Sequence, residues 1–128
     1  MKVMARPLRV LIADDDRDLA DAIAGYVTES GHSPVAVISG GGLEVIRRYG
    51  QYLPDVVLLD IMMPRFNGLT VCHAIISRDP DAKIIFVSGK VDSEHPFVTG
   101  AGAIACLEKP INRERLEEVL NSIEPRES

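Results

Sequence analysis

Five short apolar runs, at residues 8–13, 34–38, 56–59, 84–87 and 104–107, punctuate the chain and leave room for helices between them. Those at 56–59 (Val-Val-Leu-Leu) and 84–87 (Ile-Ile-Phe-Val) are unbroken runs of large apolar residues rather than alternating ones. Strands read this way when both faces are buried, as in a parallel sheet covered by helices. The intervening segments have helical spacing. Leu19, Ala22, Ile23, Tyr26 and Val27 share one face, and Gly31 is a natural stop. Residues 43–49 form a short second helix after Ser39-Gly40-Gly41-Gly42. A third runs over residues 67–78, with Asn67 as N-cap and Leu69, Cys72, Ile75 and Ile76 turned inward. The last opens after Pro110, with Asn112 as N-cap and Leu116, Val119, Leu120 and Ile123 as its apolar stripe. Between Lys90 and Gly102, Pro96, Gly100 and Gly102 predict a short or irregular segment.

This alternation implies right-handed βαβ units and an open α/β sheet with helices on both faces. A chain of 128 residues, 46% hydrophobic, suits a single domain over residues 1–128, with its core at about 8–123 and a frayed end at 124–128. The net charge of -5 argues against direct nucleic-acid binding and against a membrane surface. Neither a secretory leader nor an apolar run long enough to span a bilayer is legible, so a cytoplasmic location is expected. Cys72 and Cys106 are far apart in apolar surroundings, which reads as two reduced, buried thiols.

Open α/β sheets bind ligands at the carboxyl ends of their strands. After the first apolar run come Asp14, Asp15 and Asp16; after the third, Asp60; after the fourth, Ser88; after the fifth, Lys109-Pro110. Four of five strands therefore deliver a charged or hydroxyl group to one edge. Clustered carboxylates repel, so they need a cation or must protonate. A hard-oxygen site with one or two carboxylates, waters and room for phosphate oxygens suits Mg²⁺. Lys109 adds a point charge for phosphate, and Ser88 a hydroxyl for another oxygen. An Asp nucleophile beside such groups meets the demands of phosphoryl transfer, which are alignment and charge neutralisation.

The segments Leu11-Ile12-Ala13-Asp14-Asp15-Asp16, Val57-Leu58-Leu59-Asp60-Ile61-Met62-Met63-Pro64-Arg65-Phe66-Asn67-Gly68, Val87-Ser88-Gly89 and Lys109-Pro110 resemble the response regulator receiver family. They stand in its order and near its spacings, and the likeness covers nearly the whole chain. The resemblance implies a flavodoxin-like, doubly wound sheet of five parallel strands in the order 2-1-3-4-5. It implies that Asp60 accepts the phosphoryl group and that Mg²⁺ (or Mn²⁺) is held by Asp14, Asp15, Asp60 and the Met62 backbone carbonyl. Asp15 would ligate directly and Asp14 through water. Ser88 and Lys109 would sense the phosphoryl group, and the peptide before Pro110 would be cis. The donor would be a phosphohistidine on a sensor histidine kinase or a histidine phosphotransfer domain, and the chain a monomer or weak dimer. It would assist only its own phosphoryl transfer and autodephosphorylation. One departure stands out: the family carries Tyr or Phe as its switch three residues before the lysine, and this chain has Cys106.

Taken singly, these residues have plainer explanations. Acidic triplets are commonly solvated loops, and Asp16 is expected to cap the helix that follows. Met62 and Met63 read as loop packing, Gly40-Gly41-Gly42 as a flexible connection lacking the Gly-Lys-Ser/Thr ending of a phosphate loop, and Cys106 as a small apolar filler. His32, His73 and His95 lack metal-ligand spacing, and Lys90 is as well explained by solvent as by tuning of phosphate lifetime. A haloacid-dehalogenase-type phosphatase would need a second Asp where Met62 stands, and a flavin carrier's phosphate would be repelled by Asp14-Asp15-Asp16. The runner-up is a degenerate receiver, used as a docking module without phosphorylation.

Overall fold

The computed structural model describes residues 6–63, 66–89 and 102–126. In chain order its elements are β1 (Arg9–Ala13), α1 (Arg17–Glu29), β2 (Ser33–Ile38), α2 (Gly42–Tyr52), β3 (Val56–Asp60) and a small hairpin of β4 (Met62–Met63) and β5 (Phe66–Asn67). Then come α3 (Gly68–Arg78), β6 (Ile84–Ser88), β7 (Ala105–Glu108) and a helix labelled α4 (Arg113–Asn121). The five long strands form one parallel sheet in the order β2-β1-β3-β6-β7. With the hairpin set aside, this is the order 2-1-3-4-5. The irregular segment expected between Lys90 and Gly102 lies outside the described residues apart from Gly102, as do Lys90, His95, Pro96 and Gly100.

The strands that read as unbroken apolar runs are buried on both sides. Every residue of β3 and β6 is buried. One layer joins Leu11, Val57, Leu59, Ile84 and Phe86 to Val45 and Tyr49 of α2 and to Val71, Cys72 and Ile75 of α3. The opposite layer joins Val10, Ile12, Leu58, Ile85, Val87 and Leu107 to α1 and α4 through Ile23, Val27, Leu116 and Leu120. Full burial of one such side chain contributes about 1.5–3 kcal/mol, so these two layers dominate the stability of the fold.

Local chemistry sets the helix ends. Asp16 caps α1 by accepting from the Leu19 amide (3.1 Å), Asn67 caps α3 through Leu69 (2.8 Å), and Asn112 caps α4 through Arg115 (2.9 Å). After α1, Gly31 takes a φ of 88°, which suits a residue without Cβ. Two expectations are corrected. Helix α2 does not stop at Tyr49 but runs to Tyr52, closed by Leu53 in the left-handed region. The chain end is not frayed at residues 124–126. Asp55 accepts two hydrogen bonds from the Arg6 guanidinium (2.7 Å each) and one from the Arg126 amide (2.7 Å). The Arg126 side chain in turn reaches the Pro54 carbonyl (2.9 Å), the Tyr49 hydroxyl and Asp79. Residues 127–128 lie outside the described residues.

Candidate functional site

The sheet register brings the carboxyl ends of the strands level. Ala13 stands opposite Leu59, Asp60 opposite Val87, and Ser88 opposite Glu108. Side chains alternate between faces along a strand. Ile12, Leu58 and Leu107 lie in the α1/α4 layer; two positions further along each chain stand Asp14, Asp60 and Lys109. These three meet. The Lys109 Nζ lies 3.2 Å from Asp14 Oδ2 and 3.2 Å from Asp60 Oδ2. Ser88 follows the other parity, two positions after Phe86 in the α2/α3 layer.

Asp14 and Asp60 are almost wholly enclosed, at 1% and 3% exposure. The other oxygens of both are occupied by backbone. Asp14 Oδ1 accepts from the Asp16 amide (2.9 Å) and Asp60 Oδ1 from the Met62 amide (3.2 Å). Burial, and then the neighbouring Asp14 carboxylate, push Asp60 up to about 6 against the opposing pull of Lys109 and the Met62 amide. Burial alone would lower the Lys109 ammonium, but Asp60 and Asp14 outweigh it and raise it. The Lys109–Pro110 peptide is cis, as expected, and the Lys109 amide donates to the Ser88 carbonyl (2.7 Å), tying the lysine loop to the end of β6.

The arrangement fits a divalent cation in part. The cluster of Asp14, Asp60 and Lys109 holds two buried carboxylates against one ammonium. Asp14 Oδ2 lies in ion-pair reach of Lys109 but takes no directed hydrogen bond, leaving a hard oxygen to be satisfied. Asp15 is half-buried beside it and makes no side-chain hydrogen bond or ion pair within the described residues. Among those residues no three His, Cys, Asp or Glu side chains converge as a finished cage. Two buried carboxylates suit an ion that keeps much of its water.

Ser88 is fully buried, and its hydroxyl faces the Gly89 carbonyl (3.1 Å) and the Cys106 thiol (3.6 Å). Cys106 is half-buried rather than a sealed filler, whereas Cys72 is buried and its thiol is pushed up to about 11 by burial. The Met62 side chain is exposed, and it is the Met62 amide that meets Asp60. His73 is exposed, and His32 accepts from the Leu8 amide (3.0 Å) as a packing residue.

Gly68 also shapes the site. Gly68 starts α3 directly beneath Asp60, and a Cβ at this position would stand 2.3 Å from the Asp60 carbonyl oxygen and 2.8 Å from the Ile61 Cα. Its amide donates to the Ile61 carbonyl (2.9 Å). The Asn67-Gly68 pair was the available signal.

A five-stranded parallel sheet with an acidic pair, a lysine and a hydroxyl at its carboxyl edge defines a class, and comparison with known proteins gives the same one. The family profile of the response regulator receiver domain matches residues 10–121, and the chain belongs to that family. It is 34% identical over 116 residues to the chemotaxis protein CheY of Thermotoga maritima, covering 90% of this chain and 96% of that one. It is 35% identical over 112 residues to the response regulator MprA of Mycobacterium sp. (strain KMS), covering 86% of this chain but 47% of that protein. The chain thus spans about half the length of the MprA relatives. Among solved structures it is similar to the CheX-CheY-BeF3-Mg+2 complex from Borrelia burgdorferi, with a TM-score of 0.81, 26% identity and coverage of 91% and 88%. A receiver domain from Clostridium thermocellum shares the fold at a TM-score of 0.81 and 23% identity, covering 90% and 92%. Receiver domains of two-component systems are signalling modules, and no helix among the described residues is long and apolar enough to cross a membrane.

Proposed function

We propose that the chain is an active phosphoacceptor in a two-component system or phosphorelay, with Asp60 as the nucleophile. The observation that carries this reading is the Asp60 carboxylate itself. It is buried, aligned by the Met62 amide, and balanced by Lys109 against Asp14. An Asp60 carboxylate oxygen forms the new P–O bond as the P–N bond of a phosphohistidine breaks. The departing imidazole keeps the bonding electrons and takes up a proton. The donor class is a sensor histidine kinase or a histidine phosphotransfer domain.

Asp14, Asp15, Asp60 and the Met62 carbonyl would hold Mg²⁺ or Mn²⁺. Such an ion supplies charge neutralisation for the carboxylates and for the incoming phosphoryl oxygens. Support comes from the unsatisfied Asp14 oxygen, and from the Borrelia relative, whose complex contains magnesium and beryllofluoride. Lys109 stabilises the negative charge that accumulates on the transferring group, and its ion pair with Asp60 loosens as it does so. Ser88 offers a hydroxyl to a phosphoryl oxygen once it turns from Gly89. The resulting change in loop populations is the signal. The domain promotes only its own phosphorylation and dephosphorylation.

Borohydride trapping tests the assignment. After treatment with acetyl phosphate and Mg²⁺, reduction of the acyl phosphate followed by peptide mapping should find homoserine at position 60. Homoserine at Asp14 or Asp15 instead would overturn the role given to Asp60.

A further inference from the structure

Ser88 and Cys106 face each other across two paired strands. Phe86 is registered opposite Cys106, so Ser88, two residues further along the same face, is the diagonal neighbour of the thiol. The Ser88 Oγ lies 3.6 Å from Cys106 Sγ and 3.1 Å from the Gly89 carbonyl, and Ser88 has no solvent exposure. A hydroxyl has one proton to give and lone pairs to receive with. When the proton goes to Gly89, the thiol donates to the oxygen, and both functions of the hydroxyl are spent away from Asp60.

We propose that Cys106 is a positioning residue for phosphoryl capture: its thiol holds the Ser88 hydroxyl in a withdrawn position. Loading of Asp60 must break the Ser88–Cys106 contact before Ser88 can serve a phosphoryl oxygen. This rests on the phosphoacceptor reading and adds to it a residue that sets the cost of the switch. The contact pairs a hydroxyl with a thiol, so the mechanism belongs to Cys106. A hydrogen bond to sulfur is weak, so the effect is a modest tilt between two hydroxyl positions rather than a lock.

The test is beryllofluoride affinity in the presence of Mg²⁺, measured for the wild type, Cys106→Ala, Cys106→Ser, Ser88→Ala and the double variant Ser88→Ala/Cys106→Ala. Cys106→Ala should bind about threefold or more tightly than wild type, the scale of one weak hydrogen bond released. Cys106→Ser, which restores a proton donor at the same place, should return the affinity toward that of wild type. In the Ser88→Ala background the alanine at 106 should change nothing, because the contact is already gone. Unchanged or weaker binding by Cys106→Ala overturns the proposal, and so does equal tightening with and without Ser88. If the wild type itself fails to bind beryllofluoride while retaining its fold, the phosphoacceptor reading fails first, and the two failures are told apart.

Discussion

The Lys109 ammonium lies 3.2 Å from the Asp60 carboxylate, and the strand register makes that contact possible. Lys109 extends β7 past Leu107 on the face that Asp60 occupies at the end of β3, one strand intervening. The Lys109 amide bond to the Ser88 carbonyl holds the lysine's backbone beside the end of β6. Removing the ammonium leaves two buried carboxylates facing each other. Lys109→Met should reduce the rate of labelling by acetyl phosphate about 10- to 100-fold, the scale of one lost charge-assisted hydrogen bond. Time courses of phosphorylation at fixed Mg²⁺ measure it.

Asp60 also has a stability signature. Burial and Asp14 raise its folded value to about 6, above its unfolded value, so the carboxyl supports the fold only when protonated. That support is present below about pH 4 and is lost as pH rises through 6. In the absence of divalent ions, Asp60→Asn should therefore stabilise the protein at pH 8 by about 2 kcal/mol, with the gain shrinking toward pH 4. Urea denaturation at several pH values, with chelator present, reads it. A loss of stability at pH 8 would contradict the electrostatics described for the site.

Asp55 behaves in the opposite sense. Burial would push it up, but the Arg6 guanidinium and the Arg9 and Arg126 amides outweigh burial and hold it at about 2. A depressed carboxylate stabilises above its unfolded value, and its contribution is lost as pH falls from about 4 through 2. Asp55→Ala should cost about 3 kcal/mol at neutral pH, since it strands charged and backbone donors together. Acid titration followed by circular dichroism should show the variant losing less additional stability than the wild type between pH 4 and 2.

Gly68→Ala places a methyl group against backbone, which cannot give way as a flexible side chain would. We expect a cost of about 1–3 kcal/mol, with displaced amide signals for Ile61 and Met62. Because Asp60 is the residue overlapped, metal binding should weaken more than a distant substitution of equal cost would cause.

The pattern of sequence legibility has a physical basis. β3 and β6 were plain because burial on both faces forces continuous apolar runs, and Asn67 and Asn112 were plain because N-caps need particular side chains at particular positions. Asp14, Asp60, Ser88 and Lys109 could be read as strand-end residues on one edge. Their division into a charged trio and a Ser88–Cys106 pair depends on strand parity and register, which apolar runs with boundaries uncertain by a residue do not define. The Asp55–Arg6–Arg126 clamp joins residues 49 and 71 positions apart, so no local pattern announces it. The same holds for the ordered tail at residues 124–126 that it secures.

Intact-mass spectrometry after incubation with acetyl phosphate and Mg²⁺ tests the central claim most directly. The account requires a gain of one phosphoryl group in the wild type, abolished both by chelation and by Asp60→Asn. No gain in a folded protein, under conditions that label another receiver domain, would contradict it and leave a docking module in which Asp60 takes no phosphate.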